Sequence, residues 1–461
     1  MNKGRRDFIQ GAAIVGAGLV AAREASALPQ QDMKGMQDMK DMPGMEHGQH
    51  KAPTAKARAG SSGIVVPMQT PDVPDLPFEM DGAVKVFKLR AEPVTRRLVP
   101  FKTMTVWGYN GSCPGPTIQV QQGDRVRVIF ENGLPESTTV HWHGLEVPIE
   151  MDGVPYISQK PVPPGQSFTY EFTVHQEGTF FYHSHGAMQE MMGMIGMFIS
   201  HPTKAYKPQV DHDFGIVLQE WAILPNRNVP NTANMEFNWL TFNGLAAPAI
   251  TPMIVRQGNR VRMRIVNLGM DHHPIHLHGH QFVITGTEGG RAPESTWYPT
   301  NTVLVGVAQA KVVEFDAKYP GAWMVHCHLP HHMMNSMGDL LRDRAIVTAD
   351  QTEENAMRQM ATLAASVPFR HAPHSPIAPD AENVPGFPQD AFMEMGMDDA
   401  VAKPETYGLP ANWSAGMMGM MTVVRVLPDK DYEEILARIK SKTPNPAMPP
   451  MKMDNDHPHS M

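Results

Sequence analysis

Short runs in which apolar and polar residues alternate recur along the chain. Residues 126–130, 261–266 and 312–315 are such runs, rich in β-branched side chains and set between glycine, proline and asparagine. Alternation with a period of two turns one face of a strand toward a core and the other toward solvent. The pattern predicts an all-β protein of the sandwich type, with one helix near its end at residues 429–440.

An internal repeat divides the chain. Three segments recur, at separations of 135, 135 and 143 positions: 123–132 and 258–267, 141–144 and 276–279, 178–185 and 321–328. Because each copy has the length of one sandwich domain, the repeat predicts two β-sandwich domains. We place them at 76–205 and 206–430, with an insertion at about 341–415 and a last strand at 416–427.

The two ends of the chain differ from this pattern. Residues 1–27 combine Arg5 and Arg6 with an apolar run and an Ala-Ser-Ala triplet, the order expected of a cleaved twin-arginine signal. This predicts bacterial export to the periplasm or the medium. No other stretch reaches the ~18 apolar residues of a membrane-spanning helix. Residues 28–75, and the tail after the helix within 431–461, are rich in methionine and histidine and are either disordered linkers or copper-handling tails.

Composition directs attention to metal chemistry. The 461 residues include 36 methionines and 22 histidines but only two cysteines, Cys113 and Cys327. Two cysteines exclude a disulfide framework, and a net charge of −8 gives no sign of a nucleic-acid partner. Thioethers and imidazoles are ligands that copper prefers. The excess of both residue types therefore indicates copper.

Histidines recur in pairs separated by a single residue. The pairs are His141 with His143, His183 with His185, His276 with His278, and His326 with His328. On a strand, residues i and i+2 share one face, so each pair presents two imidazoles to one point. A lone buried histidine is usually a core residue, whereas four pairs at matched repeat positions predict a metal cluster.

Cys327 belongs to a second pattern. His332 follows it by five residues, Met337 follows His332 by five more, and His273 lies on a separate predicted strand. Two histidines, one thiolate and a distant methionine form the ligand set of blue copper. A structural zinc site would need more cysteines than the chain offers. The pattern thus predicts a blue-copper site next to the histidine cluster.

The order of these motifs, H-W-H-G, H-S-H, H-P-I-H-L-H-G-H and H-C-H-L-P-H-H, resembles that of the multicopper oxidases over residues 100–340. The resemblance implies two cupredoxin-type Greek-key domains and four copper ions per chain. The implied ligands are His273, Cys327, His332 and Met337 for a type 1 copper, His141 and His276 for a type 2 copper, and His143, His183 and His328 with His185, His278 and His326 for two type 3 coppers. It also implies that Asp152 delivers protons, although an aspartate before a glycine is equally a turn residue.

The repeat also compares the two domains at the blue-copper positions. Thr138, Ser184 and Gln189 of the first domain correspond to His273, Cys327 and His332 of the second. The first domain therefore resembles a blue-copper domain that has lost its metal. The axial methionine has two candidates. Met337 is preferred because it shares a loop with the other ligands, whereas the Gly-Met step at 416–417 repeats that at 193–194 and nominates Met417.

Chain length bears on assembly. Only 88 residues separate His185 from His273, too few for the additional domain of three-domain oxidases. The resemblance extends to the two-domain laccases, which implies a homotrimer with each cluster built between domain 1 of one subunit and domain 2 of the next. A head-to-tail interface that closes on itself produces such a ring.

The implied function is a laccase-like oxidase that couples four one-electron oxidations to the reduction of dioxygen to water. Cys327 and His332 would carry the electrons, and the reductants would be phenols, aromatic amines or Cu(I). Two alternatives are a copper nitrite reductase and a periplasmic copper-binding or copper-tolerance protein. Copper content separates them: four ions per chain for the oxidase, two for the reductase and a variable number for a binding protein.

Overall fold

The computed structural model describes residues 66–186, 188–224, 227–333 and 397–441. The first part of the chain forms β1 (Met68–Gln69), β2 (Phe78–Asp81), β3 (Val84–Val99), β4 (Lys102–Tyr109), β5 (Gly115–Gln121), β6 (Arg125–Asn132), β7 (His141–His143), β8 (Ser167–Thr173), β9 (Gly178–His183) and β10 (Ile195–His201). One sheet has the order β2-β3-β6-β8, with β4 paired to β3, and the other has the order β5-β10-β9-β7. A core that includes Val128, Trp142 and Tyr170 lies between them.

The second part forms β11 (His212–Trp221), β12 (Trp239–Phe242), β13 (Met253–Arg256), β14 (Arg260–Asn267), β15 (His273–Leu277), β16 (Phe282–Thr287), β17 (Gly290–Arg291), β18 (Pro299–Thr300), β19 (Thr302–Val305), β20 (Gln309–Asp316), β21 (Gly321–Cys327), β22 (Met421–Leu427) and the helix α1 (Asp429–Ser441). Its sheets have the orders β1-β11-β14-β20-β16-β17 and β13-β22-β21-β15-β19. The expectation of an all-β fold is confirmed, and no described helix is long and apolar enough to cross a membrane.

Strands β9 and β10 do not alternate, because both of their faces are buried. Every residue of β9 and of β10 is buried. Phe180 and Phe198 point into the core of the first domain, whereas Phe181 and Met197 pack against Val217 and other residues of the second. A strand covered on both sides has no face turned to solvent, and this is why the runs at 178–183 and 195–201 are mostly apolar and do not alternate.

The same interface contains buried ion pairs. Asp213 accepts hydrogen bonds from Arg262 Nη1 at 3.1 Å and from Arg264 Nε at 2.9 Å, and Arg264 Nη1 donates to Thr179 Oγ1 at 2.8 Å across the two domains. Burial alone would raise the pKa of Asp213, but the two arginines lower it overall. The network therefore fixes the orientation of one domain against the other with charges that are paired.

A long segment of the chain separates the last strand, β22, from β21. β22 pairs with β21 and β13, so it lies in the sheet that also carries β15. It begins at Met421, behind the 3-10 turn Trp413–Gly416, whereas the sequence placed a strand over 416–427. Most of the predicted insertion lies outside the described residues, and so do the predicted signal and most of both tails.

Candidate metal centres

The most deeply buried candidate site joins His273, Cys327 and His332. His273 begins β15, Cys327 ends β21, and His332 lies in the 3-10 turn Pro330–Met333. Cys327 Sγ lies 3.5 Å from His332 Nδ1 and 3.7 Å from His273 Nδ1, and the two Nδ1 atoms are 3.0 Å apart. The three donor atoms converge on one point, as the sequence motif requires of a blue-copper site.

The backbone around the site explains how distant residues meet. β15 and β21 are antiparallel neighbours with Ile275 opposite Cys327, which brings His273 to the end of β21. Met420, directly before β22, accepts a hydrogen bond from the Cys327 N–H at 3.0 Å and donates its own N–H to the His332 carbonyl at 2.9 Å. These contacts hold Cys327 and His332 together although five residues separate them.

The protonation of the donors suits a metal ion. Burial and, to a lesser extent, the nearby His273 lower the pKa of His332 to about 4, so the imidazole is neutral and free to bind. Burial raises the pKa of the Cys327 thiol to about 12, so the thiolate needs a compensating cation. A bound metal supplies that charge, and the donor set therefore fits one.

Two carboxylates behind these ligands escaped the sequence analysis. Glu220 Oε2 lies 3.2 Å from His273 Nε2, and its other oxygen accepts hydrogen bonds from the backbone N–H groups of Met270 and Asp271. The Asp271 carboxylate lies 3.6 Å from His332 Nε2. An acidic residue close behind the apolar run 214–218 was the available signal for Glu220. The position of Asp271 next to a histidine-rich motif was the signal for the second.

Each domain also gathers four histidines at the end of a strand pair. In the first, His141 of β7 lies opposite His183 of β9, and in the second, His276 of β15 lies opposite His326 of β21. His143 Nδ1 is 3.3 Å from His183 Nε2. His185 belongs to the first group, with its ring centroid 5.5 Å from that of His141, and His328 belongs to the second, with its ring centroid 5.5 Å from that of His276. We call these the domain-1 group (His141, His143, His183, His185) and the domain-2 group (His276, His278, His326, His328).

The two groups are oriented by equivalent hydrogen bonds. His141 Nδ1 donates to the Asp152 carbonyl and His276 Nδ1 donates to the Asn301 carbonyl, each at 2.7 Å. Both rings therefore direct Nε2 away from the backbone and toward a ligand. The Asp152 carboxylate also lies 3.3 Å from His141 Nδ1, so the predicted proton donor is beside the domain-1 group.

Within the described residues the two groups remain separate. Three histidines of each have ligand atoms within 4.8 Å of one another, and no such set contains histidines of both groups. The ring contacts also stay within each group. One chain thus presents two sets of four imidazoles.

In the first domain, polar side chains that hydrogen-bond to one another lie at the position equivalent to the blue-copper site. Ser184 Oγ donates to Gln189 Oε1 at 2.7 Å and lies 3.1 Å from Thr138 Oγ1. Gln189 Nε2 donates to the Ser137 carbonyl at 3.0 Å. The three residues that correspond to the blue-site ligands are therefore satisfied by one another and by the backbone.

The structure changes the repeat alignment of the methionines. Ser184 N–H donates to the Met194 carbonyl at 3.0 Å, just as Cys327 N–H donates to that of Met420. Met194 thus corresponds to Met420, three residues beyond Met417. Two successive Gly-Met steps made the alignment ambiguous in sequence. Met337 lies outside the described residues.

Comparisons with known proteins decide the family. Two models, both described as multicopper oxidase, match residues 92–205 and 223–344, together about half of the chain. The chain belongs to the multicopper oxidases. Membership implies copper as the metal and an oxidoreductase as the protein class, and the neighbours share the cupredoxin fold that the sequence analysis expected.

Relatives in the family differ in their named roles. The blue copper oxidase of Nitrosomonas europaea is 30% identical, with a TM-score of 0.51 over 54% of this chain and 81% of that one. Laccase-2 of Botryotinia fuckeliana is 29% identical over 54% of this chain and 47% of its own length. Copper resistance protein A of Pseudomonas syringae pv. tomato is 36% identical over 25% of this chain and 19% of its own length. The chain thus spans less than half the length of these two curated relatives.

Proposed function

We propose that this multicopper oxidase is laccase-like and transfers four electrons from a reducing substrate to dioxygen, which is released as water. The observation that carries the proposal is the segment 326–328. Cys327 Sγ faces His273 and His332, while His326 and His328 belong to the domain-2 group. Adjacent residues at the end of β21 thus join the two kinds of site through a few covalent bonds.

We assign the ligands as the sequence analysis did, except for the axial methionine. His273, Cys327 and His332 would hold a type 1 ion, His141 and His276 a type 2 ion, and the six remaining histidines of the two groups the type 3 pair. We propose Met420 as the axial ligand, because it is fully buried and its backbone bonds to both Cys327 and His332. Bound copper would supply the one-electron oxidation of the substrate and the reduction of dioxygen.

The chain's own residues would orient the histidine ligands and deliver protons to the cluster. The Asp152 and Asn301 carbonyls fix the tautomer of His141 and His276, so that Nε2 is the free nitrogen of each ring. The Asp152 side chain is 29% exposed and touches His141, so it can accept protons from solvent and pass them inward. Glu220 holds His273 in its ligand orientation from behind.

The separation of the two histidine groups supports assembly as a homotrimer. Each cluster would combine the domain-1 group of one subunit with the domain-2 group of the next, and three such head-to-tail contacts close a ring. Neither group alone offers the eight imidazoles that the type 2 and type 3 ions require. The predicted export signal at residues 1–27 would place the assembly in the periplasm or outside the cell.

A second candidate function is the oxidation of Cu(I) in copper tolerance. The Asp271 carboxylate is 40% exposed beside His332, and a negative charge at that point favours a cationic reductant over a neutral phenol. The methionines at positions 33, 36, 39, 42 and 45 could deliver cuprous ions to it. Deleting residues 30–60 should lower Cu(I) turnover but not phenol turnover. Unchanged Cu(I) turnover would exclude a delivery role for this segment.

The copper nitrite reductase alternative is weaker. That enzyme keeps its blue copper in the first domain, where this chain has the hydrogen-bonded residues Thr138, Ser184 and Gln189. A copper-storage protein would have no use for a thiolate between two cluster histidines.

Copper content and oxygen uptake test the proposal. We expect four copper ions per chain, visible absorption and EPR signals of blue copper, and oxygen uptake with a phenol or with Cu(I). The Cys327→Ser variant should lose the blue absorption and the oxygen uptake while it retains three copper ions. Copper-loaded protein without colour, or with two ions per chain, would contradict the oxidase assignment.

A further inference from the structure

A loop beside the domain-1 group exposes large apolar side chains. Tyr156 is 84% and Ile157 is 77% exposed, the highest values among the large hydrophobic residues that the structure describes, and Ile149 on the same loop is 59% exposed. Exposed apolar residues that are grouped, rather than scattered, mark interaction surfaces. Tyrosine is also among the residues that most often dominate binding energy.

The loop is held in one conformation. Tyr156 N–H donates to the Gln159 carbonyl at 2.7 Å, and Val154 N–H donates to Ser158 Oγ at 2.7 Å. Tyr156 has a φ of 63°, which is unfavourable for a bulky side chain. Strain of this kind persists where the surroundings fix it and is common at binding sites. The loop therefore presents Tyr156 and Ile157 without further ordering.

A cavity borders the domain-2 group. Its volume is about 760 Å³, and His276 and Asn301 line it together with the aromatic rings of Phe282, Trp297 and Tyr319. The walls thus combine apolar rings with the residue whose carbonyl orients His276. The volume lies in the range of pockets that enclose large side chains or small ligands.

Equivalent hydrogen bonds link the loop and the cavity to the two type 2 histidines. Asp152 connects the loop to His141, and Asn301 connects the cavity to His276. One ion on both Nε2 atoms would bring the two carbonyl oxygens within roughly 14 Å of each other. Tyr156 lies only four residues beyond Asp152, so the exposed side chains of the loop would lie beside the domain-2 group of a second copy.

We infer that Tyr156 and Ile157 of one copy of this chain enter the His276-lined cavity of a second copy and close the histidine cluster. The inference rests on the proposed trimeric oxidase and specifies its contact. The occupant is a second copy because His276 lines the cavity, the loop is bonded to His141 through Asp152, and the proposed type 2 ion needs one histidine from each group. The loop then has the role of a positioning element, which sets His141 against the partner's His276.

Two variants of Tyr156 test the contact. Tyr156→Glu replaces an apolar ring by a charge that would be buried against the aromatic rings of the cavity wall, and should weaken self-association roughly 30-fold. Tyr156→Phe should assemble like the wild type. Met80→Glu, at a residue that is 57% exposed on β2, is the matched control and should also assemble. Sedimentation velocity measures the assembly, and the blue absorption checks folding, because one chain contains the whole blue site.

A cysteine pair tests the contact directly. Tyr156→Cys combined with Tyr319→Cys should give disulfide-linked oligomers under mild oxidation, whereas each single variant should not. The native Cys113 and Cys327 are fully buried and will not contribute. In the Tyr156→Glu variant, copper should fall from four ions per chain toward one, since the blue site survives and the cluster does not.

The outcomes separate this inference from the proposed function. Wild-type assembly with four copper ions, no crosslink in the double variant and normal assembly of Tyr156→Glu would overturn the loop contact and leave the oxidase intact. A monomer with four copper ions would overturn both the contact and the trimer. Crosslinking and disrupted assembly in a protein without blue copper or oxygen uptake would uphold the contact and refute the oxidase.

Discussion

Glu220 offers the sharpest test of the blue-copper assignment. Its carboxylate is buried, and its three neighbours all donate: His273 Nε2, the Met270 N–H and the Asp271 N–H. In Glu220→Gln the amide NH2 must face one of these donors, because only one oxygen remains. At least one buried donor loses its acceptor, and the free energy of unfolding should fall by about 1–3 kcal/mol.

The lost charge also changes the reduction potential. Glu220 Oε2 lies 3.2 Å from His273 Nε2, so an ion on the opposite ring nitrogen would be roughly 7 Å from the carboxylate. At an effective dielectric constant of about 20, one unit charge at that distance contributes about 2 kcal/mol. Removing a negative charge favours the reduced, less positive ion. The blue-site potential should therefore rise by about 100 mV.

Redox titration of the blue absorption measures this change, and chemical unfolding measures the stability. Glu190→Gln is the matched control, because Glu190 Oε2 lies 3.3 Å from His183 Nδ1 in the domain-1 group. That variant should leave the blue potential unchanged. If Glu220→Gln shifts the potential no more than Glu190→Gln does, the carboxylate does not act on the blue site and the ligand assignment of His273 is wrong.

Three further predictions follow from other residues. Burial lowers the pKa of His201 from 6.5 to about 4, so the unfolded chain binds the proton before the folded chain does as the pH falls. About 3 kcal/mol of the free energy of unfolding should therefore be lost between pH 6.5 and 4. Urea unfolding at pH 7 and pH 4 should show a pH dependence that is smaller by this amount in His201→Gln. Met420→Leu should raise the reduction potential of the blue site, since the oxidised ion loses a donor, whereas Met337→Leu should leave the potential unchanged. A redox titration in which only Met337→Leu raises the potential would make Met337 the axial ligand. Asp213→Ala should cost roughly 3–5 kcal/mol in urea unfolding because it leaves the buried Arg264 without its ion pair and removes one of the two acidic partners of Arg262. Asp316→Ala, whose side chain is 49% exposed, should cost below about 1 kcal/mol. Equal losses would mean that the domain interface does not depend on the buried pairs.

Local sequence patterns were sufficient for the fold class and for the choice of candidate ligands. Alternation of polar and apolar residues reports which side of a strand is buried, and it predicted the sandwiches. The i, i+2 spacing of His141 with His143 and of His276 with His278 follows from the same geometry, since such residues share a face. Matched copies of these motifs made a metal cluster more probable than chance core packing. These inferences needed no contact between distant parts of the chain.

Contacts between distant residues were beyond the sequence and came only with the tertiary structure. The pairing of β22 with β21 selected Met420 as the counterpart of Met194, although Met417 follows an identical Gly-Met step. Glu220 contacts His273, 53 positions further along the chain, because the end of β11 lies beside the start of β15. The separation of the two histidine groups and the exposure of Tyr156 also depend on how the domains pack. Such contacts are set by the burial and pairing of whole strands, and a short motif contains no information about its distant neighbours.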